Sequence, residues 1–173
     1  MTSSSSVVIR PVHLEDGAEL ITANLASISL HEPWVSPCRD EASFHAYFNR
    51  CQDGRYLGLI AREKAGGRIA GVVNLSEIVG GFFQNAYLGY YGIAGMSGRG
   101  LMTEAVRLGV SYAFHDLGLH RLEANIQPGN APSRALAKRL GFRQEGFSPR
   151  YLKIAGEWRD HERWAILAEE WRG

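Results

Sequence analysis

Apolar positions along the chain change period several times, and each change marks a predicted element. Val7 to Val12 reads as a first strand. Asp16 stands where a helix cap would, and Leu20, Ala23 and Ile28 recur at helical spacing over about 17–30. The segment HEPWVSP, residues 31–37, carries two prolines and reads as a loop. A second helix over about 40–52 presents Phe44, Tyr47 and Phe48 on one face. Strands follow at 56–62 and 68–78 around the Gly66-Gly67 turn, then at 87–93.

A helix over about 98–117 carries two adjacent apolar stripes, Leu101-Ala105-Leu108-Tyr112 and Met102-Val106-Gly109-Ala113. That wide face is what a helix packed on a sheet requires. A strand at 121–127, a PGN turn and a helix over 131–140 come next, with Gly141 at the left-handed stop position. Two strands near 143–153 and 158–168 flank Gly156. The order β, α, α, three strands, then α, β, α, β, β predicts an α+β fold, a mixed sheet with helices on both faces. No repeat or linker interrupts it, so residues 1–173 are expected to form a single domain with a polar tail at 1–6.

Candidate chemistry concentrates where the strand at 87–93 meets the long helix, in GMSGRGLMTE, residues 95–104. Gly98 and Gly100 let the backbone approach a bulky ligand. The first amides of the following helix lack internal partners and lie at the positive end of its dipole, a natural phosphate site. A Walker loop is excluded, because no Lys-Ser/Thr pair follows the second glycine, and GxxGxG is not the dinucleotide GxGxxG.

Composition narrows the classes further. Net charge is +1 and Lys and Arg are scattered, so no nucleic-acid partner is expected. Cys38 and Cys51 make neither a metal spacing nor a disulfide framework, which fits a reducing compartment, and no metal site is expected from the six histidines. No apolar run is long enough to span a membrane, and MTSSSSVVIR lacks the features of a signal peptide. A cytoplasmic protein is expected, monomeric or homodimeric.

Four segments carry a family resemblance: YLGYYGIAGMSGRGLMTEA, HRLEANIQPGNAPS, RLGFRQEG and YLKIAGEWRDH, beginning at Tyr87, His120, Arg139 and Tyr151. In this order and spacing the chain resembles the GNAT acetyltransferases, specifically the RimJ/RimL-like branch that acetylates protein N-termini. The resemblance implies a V-splayed sheet of about seven strands with acetyl-CoA between the fourth and fifth. It implies pyrophosphate binding by the amides of Gly95, Met96, Ser97, Gly98, Arg99 and Gly100. The backbone of Tyr91, Gly92 and Ile93 would pair with pantetheine, and Asn130 and Ser133 would contact its far end. Gly95 departs from the Gln or Arg usual at that loop position. Arg150 replaces the carboxylate expected just before Tyr151.

Acetyl transfer to an amine requires a neutral nucleophile, a route for its proton, an oxyanion donor and protonation of the leaving thiolate. An α-amine titrates near 7.7–8 and a lysine near 10.4, so deprotonating lysine costs roughly 3.5 kcal/mol more. The resemblance implies a protein N-terminus, alanine or serine of a ribosomal protein, as the acceptor, and the lower pKa of an α-amine suits it. A small amine such as a polyamine, aminoglycoside or amino acid is the alternative, and a non-catalytic acyl-CoA sensor is a third.

In RLEANIQ, Glu123, Asn125 and Gln127 alternate with Leu122, Ala124 and Ile126, as on a strand bordering a wet cleft. Glu123 is the expected base, unless it pairs with Arg121; Glu77, at the end of the third strand, is held in reserve. Ser133 is the expected sulfur-side donor, or alternatively a first-turn serine serving helix amides. The oxyanion donor is expected among the main-chain amides of Tyr91, Gly92 and Ile93. Trp34, Phe82, Phe83 and Tyr151 are expected to line the acceptor mouth. His31 is expected at the surface, and WRDH, residues 158–161, is expected to define the fold only.

Overall fold

A computed structural model describes residues 5–173; the start of the expected polar tail lies outside them. Seven strands form one sheet: β1 (Val7–Pro11), β2 (Leu57–Glu63), β3 (Ile69–Val79), β4 (Asn85–Gly92), β5 (Arg121–Ile126), β6 (Arg143–Ile154) and β7 (Glu157–Leu167). They lie in the order β1-β2-β3-β4-β5-β7-β6. Every pairing is antiparallel except β4 with β5. Among the described residues five α-helices accompany the sheet: α1 (Gly17–Leu25), α2 (Ile28–His31), α3 (Glu41–Arg50), α4 (Leu101–His115) and α5 (Ala131–Arg139). The mixed α+β architecture agrees with the periodicity of the sequence.

The crossover from β4 to β5 is α4, whose buried Leu101, Ala105, Val106, Val110 and Ala113 seal one face of the sheet. Gly109 permits close approach there: a Cβ at that position would meet Val73 Cγ1 at 2.8 Å. Its absence lets the helix sit directly over β3 and fixes where the helix N-terminus points.

The helix expected over 17–30 divides into α1 and α2. Ser27 turns its hydroxyl back on the Ala23 carbonyl at 2.7 Å, and the Ala94 amide donates to Ser27 Oγ at 2.9 Å. Such back-bonding competes with the helix ladder. Here it ties the helix break to the loop that follows β4.

Asp16 stands at the expected N-cap position of α1, but its side chain makes no cap hydrogen bond to that helix. It is buried and accepts from Arg10, Arg62 and the His13 amide. Burial pushes its carboxyl up, but hydrogen bonds from Arg10, His13 and Arg62 outweigh this and hold it at about 2. At the other end of the chain, Gly141 has φ 87°, with Gly141 N–H on the Lys138 carbonyl and Phe142 N–H on that of Ala137. This two-bond arrangement ends α5 as the sequence predicts.

Candidate active site

β4 and β5 pair only at Asn85–Arg121, Ala86–Leu122 and Tyr87–Glu123. Beyond that point β4 remains bonded to β3, and β5 remains bonded to β7 as far as Ile126. Each strand follows its antiparallel neighbour, so the two diverge and open a V. A cavity of about 570 Å³ occupies the cofactor side of the opening. A smaller one, of about 80 Å³, lies between β4 and β5. Trp34, Val35, Tyr90, Asn130 and Ser133 line both.

The hydrogen-bond ladder decides which β4 groups face the V. Ile93 donates its amide to the Ala70 carbonyl at 3.0 Å and accepts from the Met96 amide at 3.1 Å. Alternate residues of an antiparallel strand face the same neighbour, so Tyr91, paired with Val72, turns its backbone to β3 as well. The expectation for Ile93 and Tyr91 is corrected: their amides are committed to the sheet. Gly92 and Tyr90 present theirs to the opening.

His31 sits beside them and is 1% exposed, not at the surface. Its Nε2–H donates to the Gly92 carbonyl at 2.8 Å, and its ring meets Tyr91 edge-on at 4.9 Å. Burial pushes this imidazole below its ordinary pKa. In the neutral tautomer Nδ1 carries no proton, and it has no partner.

In the loop after β4, Gly95, Gly98 and Gly100 have φ of 80°, 76° and 74°. A Cβ at each would meet nothing within 4 Å. Glycine is therefore required by the left-handed backbone and not by crowding. Among the described residues, no protein acceptor takes the amides of residues 97–103. Met96, Ser97, Gly98 and Gly100 line the larger cavity.

Gly95 and Arg99 do not line it. The Arg99 guanidinium is turned away to the buried Glu63 at 2.8 Å, so only its main-chain amide is left for a phosphate. A cation missed by sequence reasoning takes the rim: Arg139 lines the cavity and donates to Thr103 Oγ1 at 3.0 Å. Its place in the last turn of α5 gave no signal, because only the fold brings α5 to the mouth of α4.

Asn130 caps α5, its Oδ1 accepting from the Ser133 amide at 3.3 Å. Ser133 Oγ–H donates to the Tyr90 hydroxyl at 3.0 Å, and Tyr90 O–H donates to the Ser133 carbonyl at 3.2 Å. Burial raises Tyr90 to about 12. Tyr90 was also missed, since strand tyrosines usually pack and one face of β4 cannot be told from the other by sequence.

Glu123 occupies the vertex of the V. Its Oε1 accepts from Arg121 Nε at 2.8 Å, and Arg121 is shared with Glu145. Glu123 lines neither cavity, so its expected place as the cleft base is corrected in favour of the pairing with Arg121. Glu77 is bonded to Arg55 at 2.8 Å on the surface, in a β3 bulge, and is also removed from the cleft. Phe82 and Phe83 are exposed in the β3–β4 turn, at the end of β4 opposite the cofactor loop, and line neither cavity. Tyr151 lies within the β6 irregularity between Ser148 and Leu152, its ring 6.3 Å from that of His161. Its hydrogen bond with Tyr87, followed by burial, raises the Tyr87 hydroxyl. Arg150, at φ 49°, donates its amide to Asp160 at 2.8 Å, and Arg159 meets Glu157 at 2.7 Å.

A parallel pair that opens over a glycine loop and a helix N-terminus, with an amide-lined channel between, can hold a phosphate-bearing ligand with an extended arm. The model of the acetyltransferase (GNAT) domain matches residues 6–143. The chain belongs to the GNAT acetyltransferase family. It is 34% identical over 182 residues to the ribosomal protein uS5-alanine N-acetyltransferase of Escherichia coli, covering 98% of this chain and 91% of that one. A probable N-acetyltransferase of Bacillus subtilis, YjcK, is 46% identical over 100 residues, 58% of this chain and 55% of its own length. Mycobacterium smegmatis RimJ, solved with CoA-disulfide, superposes with a TM-score of 0.86 at 32% identity, over 95% of this chain and 83% of that one.

The protein is thus an acetyl-CoA-dependent N-acetyltransferase of the RimJ/RimL-like branch. The site fits that co-substrate: unpartnered amides and Arg139 suit its phosphates, and an apolar channel past Leu136 and Met102 suits its thioester arm. Among the described residues no helix is long and apolar enough to cross a membrane, and no three His, Cys, Asp or Glu side chains gather as metal ligands do.

Proposed function

We propose that the acceptor is the α-amine of a protein N-terminus, with alanine or serine of a ribosomal protein as the first candidate. The observation that carries this reading is near full-length similarity to an enzyme named for the alanine of ribosomal protein uS5. The electrostatics of the V support it. Neither cavity is lined by an Asp or Glu, whereas a polycationic polyamine or aminoglycoside calls for several carboxylates. A single α-amine, substantially neutral near pH 8, needs none.

In this reading the amides of residues 97–103 and Arg139 hold the phosphates, and the Gly92 and Tyr90 amides face the pantetheine arm and the thioester oxygen. The Ser133 hydroxyl, by turning its hydrogen from the Tyr90 oxygen, donates to the departing sulfur, while Tyr90 stays bonded to the Ser133 carbonyl and holds the serine in place. Trp34 lines the acceptor side. The test is CoA release with mass spectrometry on three acceptor sets. These are peptides with free Ala or Ser N-termini, the same peptides N-blocked but containing lysine, and small polyamines or aminoglycosides. Acetylation confined to free N-termini is expected. Turnover restricted to small amines would replace the protein acceptor with a metabolite.

A further inference from the structure

With Glu123 held by Arg121 and Arg150 in place of a carboxylate, the amine's proton needs another destination. The smaller cavity contains one candidate. Of its lining side chains only Tyr90 and His161 titrate, and Tyr90, at about 12, stays protonated at neutral pH. His161, on β7, is 3% exposed. Its Nδ1 lies 2.9 Å from the Arg159 carbonyl. A carbonyl only accepts, so Nδ1 carries the proton and Nε2 carries the lone pair.

The same cavity is lined by Ser133 and by Asn125, whose Oδ1 is buried without a partner. A neutral imidazole, an unpaired amide oxygen and the proposed sulfur-side donor thus converge where β4 and β5 part.

We propose that His161 is a catalytic residue, its Nε2 accepting the proton released by the attacking amine, while Asn125 Oδ1 accepts a second amine hydrogen and orients the nitrogen. The inference rests on acetyl transfer to an amine and not on which amine is used. The amine nitrogen forms a bond to the acetyl carbon as the carbon–sulfur bond breaks. One proton leaves nitrogen for Nε2. The thiolate, hydrogen-bonded by Ser133, gains a proton from solvent and leaves as CoA thiol, and His161 returns its proton to solvent.

The surroundings keep the imidazole neutral beforehand. Burial pushes it down, while its bond to the Arg159 carbonyl and the charge of Asp160 on the same strand oppose this. The β4 side contributes Tyr90, β6 contributes Tyr151, and β5 contributes only the uncharged Asn125 and Gln127.

The test compares wild type with His161→Asn and His161→Gln on any amine that wild type acetylates. Asn keeps an N–H near the Arg159 carbonyl but has no basic nitrogen. The expected result is a kcat lower by roughly 10²-fold or more, with acetyl-CoA affinity and thermal midpoint near wild type. Partial rescue of His161→Gly by added imidazole is also expected. Activity close to wild type in both variants, or no rescue alongside lost acetyl-CoA binding, overturns the proposal. An independent readout on the wild-type protein is its nitrogen NMR at pH 7.5. A neutral His161 protonated at Nδ1 supports the role, and an Nε2–H tautomer or an imidazolium sinks it. If wild type acetylates a small amine only, the acceptor proposed above fails while this test still runs.

Discussion

Ser133 and Tyr90 bond to each other twice, side chain to side chain at 3.0 Å and Tyr90 hydroxyl to Ser133 carbonyl at 3.2 Å. The N-terminus of α5 is thereby fastened to the free edge of β4, across the gap that the sheet itself leaves open. The Ser133 hydroxyl is consequently one member of a two-residue donor unit.

Residues acting as a unit lose their effects together. Ser133→Ala and Tyr90→Phe are each expected to lower kcat by roughly 10²-fold, and the double variant to fall little further. A double-mutant cycle on kcat checks this. Fully multiplicative losses would show that the two hydroxyls act separately.

Glu123→Gln is expected to retain most activity, well short of the 10²–10⁴-fold loss that removal of a general base brings. The change leaves Arg121 with Glu145, so the larger effect should appear as a modest loss of stability. Steady-state rates beside a thermal melt separate the two. A collapse of kcat at unchanged stability would return the carboxylate to the chemistry.

Gly98→Ala and Gly100→Ala place a Cβ on a left-handed backbone, at about 1–2 kcal/mol each. There is room for the methyl group, so the protein should fold while the loop relaxes away from its binding geometry. Acetyl-CoA affinity should weaken about tenfold, as read by calorimetry, with kcat at saturation less affected. Unchanged affinity would remove these amides from the phosphate site.

The Asp16 carboxyl, held at about 2 in the fold, titrates near 3.9 when unfolded. A depressed carboxylate stabilises above its unfolded pKa and loses that contribution as pH falls through the folded one. The fold should therefore lose roughly 2–3 kcal/mol between about pH 4 and pH 2 from this group. Asp16→Asn should cost a similar amount at pH 7 and flatten the acid limb. Urea melts across that range, wild type against variant, provide the measurement.

Much of this protein was legible in its sequence because the relevant signals are local. Periodicity marked the strands and the long helix. Gly141 marked the end of α5, and three glycines marked a loop whose φ angles are left-handed at all three. Together with the spaced segments from Tyr87 to His161, these were enough for the fold and the family. The site required contacts between residues distant in the chain. Whether Glu123 faced a cleft or an arginine depended on the approach of β6 with Glu145 to Arg121. Which β4 amides were free depended on the ladder to Ala70. The places of Tyr90, His31, Arg139 and His161 around one opening depended on β4 and β5 parting after three pairs. A one-dimensional pattern records which faces are apolar, but not which polar atoms the partner elements have already taken, and those remaining hydrogen bonds are where the chemistry is decided.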